Sequence, residues 1–523
     1  MTAWPDAITF TQTWMRSVER GPSRQFLVFE APDGTTASWT YAEFDELIGR
    51  CAALLNELHV RPGSAVSVAL TNSPAFVAIW LATIRLGAWL VPSDPMAAVP
   101  ELAAHIARTR PVIGFCAVTR AETYRAAAAD AHMHLVEVDE ADSTLAVFGE
   151  TVFGETVVGA TTFGAGIRTG WPTPALTDRA AVMFTSGTTG VPKGVEVTQA
   201  NYAFAGATMA AASGLQPDDR QLVVLPLFHA NAQFYSFASA IWVGASVALM
   251  HTFSASGFVG QAARHRATHA SLFAAPIRMI LNRGATPIDG VALRHCWYAM
   301  NITDDQHRTL AALLGCAPRQ LYGMTETIPA VLCEAAIDPV PESMGFPTQG
   351  CVVEVHESAS GDGEIVVGGE PGITLFAGYL DDPVTTAASF RDGWFQTGDR
   401  AHVRADGRFI FDGRHSDVLK VAGENVSTIE VERVIAAFPG VLDVAVVGHP
   451  DAIRDEVPVA FIVASDPMSP PDLAALDLWC EQRLTKAKRP RNVTLVEQLP
   501  RTSVGKIRSF MLRDAGAESR VPR

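Results

Sequence analysis

The sequence predicts an α/β protein in two parts, a large N-terminal domain of layered sheets and helices and a small α+β C-terminal domain. Three observations carry this. The 523 residues exceed what one hydrophobic core usually serves, so at least two domains are expected. Hydrophobic residues make up 48% of the chain and charged ones 18%, the balance of a globular protein. Between residues 40 and 92, helical stretches alternate with short apolar runs, the pattern of a parallel sheet covered on both faces.

The elements follow in order. Thr40-Tyr41-Ala42-Glu43 has the form of a capping box and opens a helix to about Leu58, ended by the turn Arg61-Pro62-Gly63. Ala65 to Leu70 reads as a strand and Pro74 to Leu86 as a second helix. The most apolar stretch, Ala75 to Val91, carries Arg85 and Gly87 and is a buried helix rather than a membrane span. Residues 148–166 repeat Phe-Gly-Glu-Thr-Val in tandem; two copies are too few for a solenoid and suggest a linker or hairpin. Thr198 to Ser213 looks helical and Gln221 to Leu225 a strand.

Composition narrows the function. A net charge of −15 argues against nucleic acid, which needs a basic face. Seven cysteines without a Cys-x-x-Cys pair suggest reduced thiols, no zinc site and a cytoplasmic protein. The N-terminus lacks the basic and apolar regions of a signal peptide.

Chemistry concentrates first in Thr185-Ser186-Gly187-Thr188-Thr189-Gly190-Val191-Pro192-Lys193-Gly194, after the apolar run Ala180 to Phe184. Its three glycines, four hydroxyls and one lysine suit a polyanion: amides approach closely, hydroxyls donate and the ammonium neutralises charge. Pro192 before Lys193 separates it from a Walker loop. Further along, Tyr322-Gly323-Met324-Thr325-Glu326-Thr327 combines groups that can stack a purine, hydrogen-bond a phosphate and hold a hard cation. Gly393 to Asp399, Asp412 to Asp417 and Pro500 to Ile507 complete a series of five motifs.

In this order the five motifs resemble the adenylate-forming (ANL) superfamily, and within it the acyl-CoA synthetases. The resemblance covers almost the whole chain and implies an ANL-type fold that activates a carboxylic acid with ATP to acyl-AMP and pyrophosphate. It assigns Thr185, Ser186, Gly187, Thr188, Thr189, Gly190 and Lys193 to the phosphates, Tyr322 to adenine and Gly323 to the bound nucleotide. Thr325 falls to the α-phosphate, Glu326 to Mg²⁺, Asp399 and Arg414 to the ribose, and Lys506 to the α-phosphate and carboxylate as the catalytic lysine. Lys506, Glu326, Thr325 and His229 form the implied catalytic set.

The acyl pocket is implied at His229, Asn231, Gly323, Met324 and the segment Tyr298-Ala299-Met300-Asn301. Relatives often carry Gly-Gly-Ala-Pro in place of that segment; its form here is similar to some carnitine- and crotonobetaine-type CoA ligases. Adenylating domains for α-amino acids usually place Asp after the Phe of the Pro226-to-Asn231 segment. The His229 found here favours an acid without an α-ammonium, since a buried cation needs a countercharge.

The resemblance also divides the chain into a core of residues 1–414 and a mobile domain of residues 415–523. Ser416 stands at the hinge position, and Gly423 and Glu424 face a tunnel for CoA. Ser427 with Glu430 has capping-box form for a helix to Phe438, and strands and a helix to about Leu484 make the small domain α+β. The basic run Lys486 to Arg491 reads as a solvated turn. The expected substrates are ATP with Mg²⁺, a small carboxylic acid and CoA. Loading of a carrier-protein phosphopantetheine is the rival reading, a nucleotide-binding protein without chemistry the non-enzyme one, and a homodimer the guess for assembly.

Overall fold

The computed structural model describes residues 7–140, 173–185, 192–357, 363–414, 418–421, 424–451, 454–501, 507–509 and 511–513. The tandem repeat of residues 148–166 lies outside them. Among the described residues the chain forms three sheets, of 14, seven and five strands.

The seven-stranded sheet holds the elements expected from residues 40–92. Strands Ala65–Ala69, Trp89–Pro92, Ile113–Ala117 and His134–Val138 run parallel, and Trp89–Pro92 also pairs in parallel with Arg179–Thr185. Helix Tyr41–Glu57 starts at a complete capping box of Thr40 and Glu43, and helix Pro74–Arg85 is buried along its whole length. A helix buried all round needs no polar face, which is why its sequence resembles a membrane segment. No helix among the described residues is long and apolar enough to cross a membrane.

The largest sheet changes character midway. From Gln25–Glu30 it runs in parallel through Ser246–Met250, Arg220–Val223, His269–Phe273, His295–Ala299 and Arg319–Tyr322. Beyond Tyr322 it continues as antiparallel strands, ending with Phe409–Arg414, Trp394–Val403, Gly363–Gly368 and Val352–Glu357. Helix Gln199–Ser213, capped by Thr198 and Asn201, packs with the first sheet's strands and with a π-helix at Asn231–Ala238 in one continuous core.

The five-stranded sheet contains only strands from Val418 onward, with helices Thr428–Ala436 and Leu473–Arg483. Two sequence expectations fail here. Helix Thr428–Ala436 begins after Ser427, but the Ser427 side chain makes no capping hydrogen bond, and the helix stops two residues short of Phe438. The Glu430 carboxylate is drawn instead to Lys488 at 2.7 Å. Lys488 and Arg489, which pairs with Glu481, are thus held in surface ion pairs. All seven cysteines are free thiols.

Candidate active site

The two described ends of the polyanion string lie on paired strands. Strand Arg179–Thr185 pairs antiparallel with Lys193–Thr198, and the register sets Thr185 opposite Lys193. Residues 186–191, with Ser186, Gly187, Thr188, Thr189 and Gly190, lie outside the described residues. The stems are braced from helix Val99–Thr109. The His105 ring stacks on Phe184 with centroids 4.0 Å apart, and Arg108 lies over Phe184 while donating to the Pro192 carbonyl. At Gly194 a Cβ would come within 3.0 Å of Val182 and 3.2 Å of Leu380, so a side chain there would require its neighbours to give by a few tenths of an ångström.

Lys193 leads to the proposed metal ligand through one aromatic ring. Its Nζ sits 4.7 Å from the centroid of Tyr379, within cation–π range, and the Tyr379 hydroxyl donates to Glu326 Oε1 at 3.1 Å. Tyr379 reaches this position because strand Gly378–Tyr379 extends the same strand pair, pairing with Val195. Glu326 is 4% exposed on a single 3₁₀ turn, Thr325–Thr327, and its main-chain carbonyl accepts from Phe376 at 3.0 Å. Burial and the Glu326 carboxylate both raise the Tyr379 phenol above its ordinary pKa. Among the described residues no group of three or more His, Cys, Asp or Glu could hold an ion by itself. One buried carboxylate fits Mg²⁺, which takes one or two protein carboxylates and completes its shell with phosphate oxygens and water.

On the other side stands a second polar group. Tyr322 Oη donates to Asp399 Oδ2 at 2.7 Å, and Arg414 Nε lies 2.7 Å from Asp399 Oδ1. Asp399 and Arg414 are direct cross-strand partners in Trp394–Val403 and Phe409–Arg414, so sheet register alone brings them together. Asp399 is 2% exposed, and its amide donates to Thr397 Oγ1 at 3.1 Å. Burial, reinforced by the Asp399 charge, holds the Tyr322 phenol well above its ordinary pKa.

The acyl-side residues divide. His229 packs against Phe228 with ring centroids 4.2 Å apart, and Asn231 opens the π-helix. Gly323 faces that helix: a Cβ there would lie 2.9 Å from the Pro329 carbonyl and 3.2 Å from the Tyr235 hydroxyl. Met324 is half-buried against the main core, its amide bonded to Thr327 Oγ1 at 3.0 Å. Tyr298 departs from expectation. It turns into the core beneath the sheet, where its hydroxyl donates to the Pro341 carbonyl at 2.8 Å. Ala299 ends the strand, Met300 adopts φ +72° with its side chain exposed, and the Asn301 carbonyl accepts from Arg278 Nη2 at 3.1 Å.

Arg278, on the helix that follows strand His269–Phe273, also links the largest sheet's layer to the five-stranded sheet. Its Nη1 lies 2.9 Å from Asp443 Oδ1, and Asp443 pairs on its other oxygen with Arg501. Ser416, Gly423 and Lys506 lie outside the described residues, while Glu424 begins strand Glu424–Ser427, paired with Val421. Tyr379, Tyr235, Arg278, Asp443, His105 and Arg108 belong to this neighbourhood and were not singled out from sequence. None sits in a motif string, and only the tertiary fold brings them in.

The model of the AMP-binding enzyme family matches residues 14–380, and that of the AMP-binding enzyme C-terminal domain matches residues 430–506. The chain is 31% identical over 516 residues to a crotonobetaine/carnitine–CoA ligase from Salmonella paratyphi A, covering 95% of this chain and 97% of that one. A ligase of the same description from Proteus mirabilis is 31% identical over 506 residues, with coverage of 95% and 97%. Among solved structures, ATP-bound MatB from Rhodopseudomonas palustris superposes with a TM-score of 0.84 at 26% identity, covering 98% of this chain and 99% of that one.

Proposed function

The chain belongs to the AMP-binding enzyme family of adenylate-forming ligases, and on that premise we propose how its residues work and what kind of acid it takes. It is an AMP-forming carboxylic acid–CoA ligase. The observation that carries the residue assignment is that Tyr322 and Glu326, four residues apart in one stretch, each anchor a polar group. Lys193, Tyr379 and Glu326 form one; Tyr322, Asp399 and Arg414 form the other.

Adenylation brings two anions together. A carboxylate oxygen attacks the α-phosphorus of ATP in line, the bond to the β-phosphate oxygen breaks, and pyrophosphate leaves with its electrons. No protein nucleophile is required; the work is positioning and dispersal of charge. The Thr185-to-Lys193 string holds the β- and γ-phosphates, with Lys193 as cation. Glu326 would hold Mg²⁺, which neutralises phosphate charge. Asp399 accepts from the ribose hydroxyls, as an ionised carboxylate can from both members of a cis-diol, and Tyr322 and Arg414 fix its direction. Thr325 serves the α-phosphate, and Lys506 bridges the α-phosphate and the acid's carboxylate.

The second half-reaction attacks the acyl carbon with the CoA thiolate and expels AMP. In our reading the C-terminal part rotates about Ser416, withdrawing Lys506 and bringing Gly423 and Glu424 toward the thiol. A segment between Arg414, which ends one sheet, and Val418, which begins another, is a suitable place for a hinge. The acid lacks an α-ammonium, since His229 follows Phe228 where a carboxylate would be needed.

The test is pyrophosphate release with ATP and Mg²⁺ across a panel of carboxylic acids, with and without CoA. Acid-dependent release that rises with CoA and yields a thioester is the expected result. Release without thioester, restored by a holo carrier protein, would replace CoA by the carrier as acceptor.

A further inference from the structure

The π-helix Asn231–Ala238 separates its polar side chains into two kinds. Gln233 is fully engaged, accepting from the Tyr202 hydroxyl at 2.5 Å and donating to the Leu227 carbonyl at 2.5 Å. Asn231 is 5% exposed, yet among the described residues neither its amide nitrogen nor its amide oxygen has a partner. Tyr235, four residues on and 7% exposed, makes no side-chain hydrogen bond among the described residues. Four residues is close to one turn of a π-helix, so the two side chains share a face.

The Tyr235 end of that face lies beside Gly323, next to the nucleotide group. Asn231 lies two residues beyond His229, and the Tyr235 hydroxyl is the side-chain atom that a Cβ on Gly323 would meet, at 3.2 Å. Gly323 follows Tyr322, the donor to Asp399. Leaving a buried amide unpaired costs about 1–3 kcal/mol. A fold that satisfies Gln233 between them can afford this where a ligand completes the bonds.

We propose that the acid substrate carries an uncharged hydrogen-bonding substituent (a hydroxyl, ketone or carboxamide) that Asn231 and Tyr235 receive. This rests on the adenylation reading above. Asn231 offers an NH₂ donor group and a carbonyl acceptor, and Tyr235 a hydroxyl able to act as either. Neither carries charge: burial raises the Tyr235 phenol above its ordinary pKa, and the neighbouring Cys333 thiol is pushed up to about 12. A second carboxylate or an ammonium on the acid would find no countercharge in these two side chains, and a trimethylammonium group could not accept or donate a hydrogen bond.

Acid-dependent exchange of labelled pyrophosphate into ATP tests this. Straight-chain and benzoic acids bearing one hydroxyl, ketone or carboxamide are each compared with their hydrocarbon isostere, with trimethylammonium acids as a third arm. For the best pair, kcat/KM should favour the polar acid by about 100-fold, because a site built to hydrogen-bond rejects an analogue that leaves it unpaired. Asn231→Leu and Tyr235→Phe should each narrow that ratio at least about tenfold. Asn231→Leu should also melt no lower than the parent, since it removes an unpartnered amide. A best substrate of the hydrocarbon or trimethylammonium type, or a ratio that neither variant changes, overturns the proposal alone. Absence of exchange with every acid overturns the adenylation reading as well.

Discussion

The Tyr322 hydroxyl and the Asp399 carboxylate meet at 2.7 Å, with Arg414 on the carboxylate's other oxygen. The carboxylate is therefore aimed before any nucleotide arrives. Tyr322→Phe removes one charge-assisted hydrogen bond and leaves the ion pair, so the KM for ATP should rise about tenfold with little change in kcat. Asp399→Asn keeps the shape but removes the anionic acceptor, and its loss in kcat/KM for ATP should exceed that of Tyr322→Phe. Steady-state kinetics in ATP checks both; equal and negligible effects would remove Asp399 from the ribose.

Tyr379 couples Lys193 to Glu326. Tyr379→Phe keeps the ring under the ammonium and deletes only the hydroxyl. The Mg²⁺ concentration for half-maximal adenylation should shift by about fivefold, the scale of one hydrogen bond to a charged group. The KM for the acid should stay within about twofold. A shift in the acid's KM with none in Mg²⁺ would place the carboxylate elsewhere in the reaction.

Arg278 and Asp443 are 165 residues apart and 2.9 Å from each other. Arg501, on the same carboxylate, lies five residues before Lys506, so this bridge anchors a residue close in sequence to the lysine. Asp443→Asn should slow pyrophosphate exchange about tenfold while slowing thioester formation from preformed acyl-AMP less. Removing one partner of a half-buried pair leaves the two arginines facing each other. Equal losses in both half-reactions would make the bridge purely structural.

Stability has its own acid-sensitive cluster. Glu30 accepts from Arg264, from His265 at 2.6 Å and from Gln261 at 3.2 Å. Burial alone would raise its carboxyl, but these hydrogen bonds outweigh it and hold the pKa at about 2, below the ordinary 4.5. The folded state thus favours the ionised form. The resulting stabilisation is complete above about pH 4.5 and is lost as pH falls through 2. Glu30→Gln should cost on the order of 3 kcal/mol at pH 7, and the gap from the parent should close on approach to pH 2. Urea melts at pH 7 and pH 3 give the comparison; a gap independent of pH would contradict it.

Much of the fold was legible because the chain states it locally. The Thr40–Glu43 capping box and the all-apolar helix from Pro74 need only neighbours in sequence to be read. Thr185 and Lys193 read locally only as the two ends of a loop; their pairing face to face comes from the strand that starts at Lys193. Ser427 shows the limit: its spacing to Glu430 spells a capping box, but Lys488 approaches from another element and takes the carboxylate. Tyr379 and Glu326, 53 residues apart, meet only through an added edge strand. Tyr235 sits in a run whose apolar neighbours read as core, so nothing local distinguishes a packed phenol from a waiting one. Tyr298 was misplaced for the converse reason, since alternation along its strand turns it away from the face that its neighbours suggest.

On our proposal Lys506 completes an adenylation site to which the larger sheets contribute Lys193, Tyr322, Tyr379, Asp399 and Arg414. Acid-dependent exchange of labelled pyrophosphate into ATP, compared between the parent and Lys506→Ala, tests it most directly. Exchange should fall about 100- to 1,000-fold, the scale of losing one charge-stabilising group, while ATP binding measured by calorimetry is retained. Exchange at the parental rate in Lys506→Ala would contradict the account.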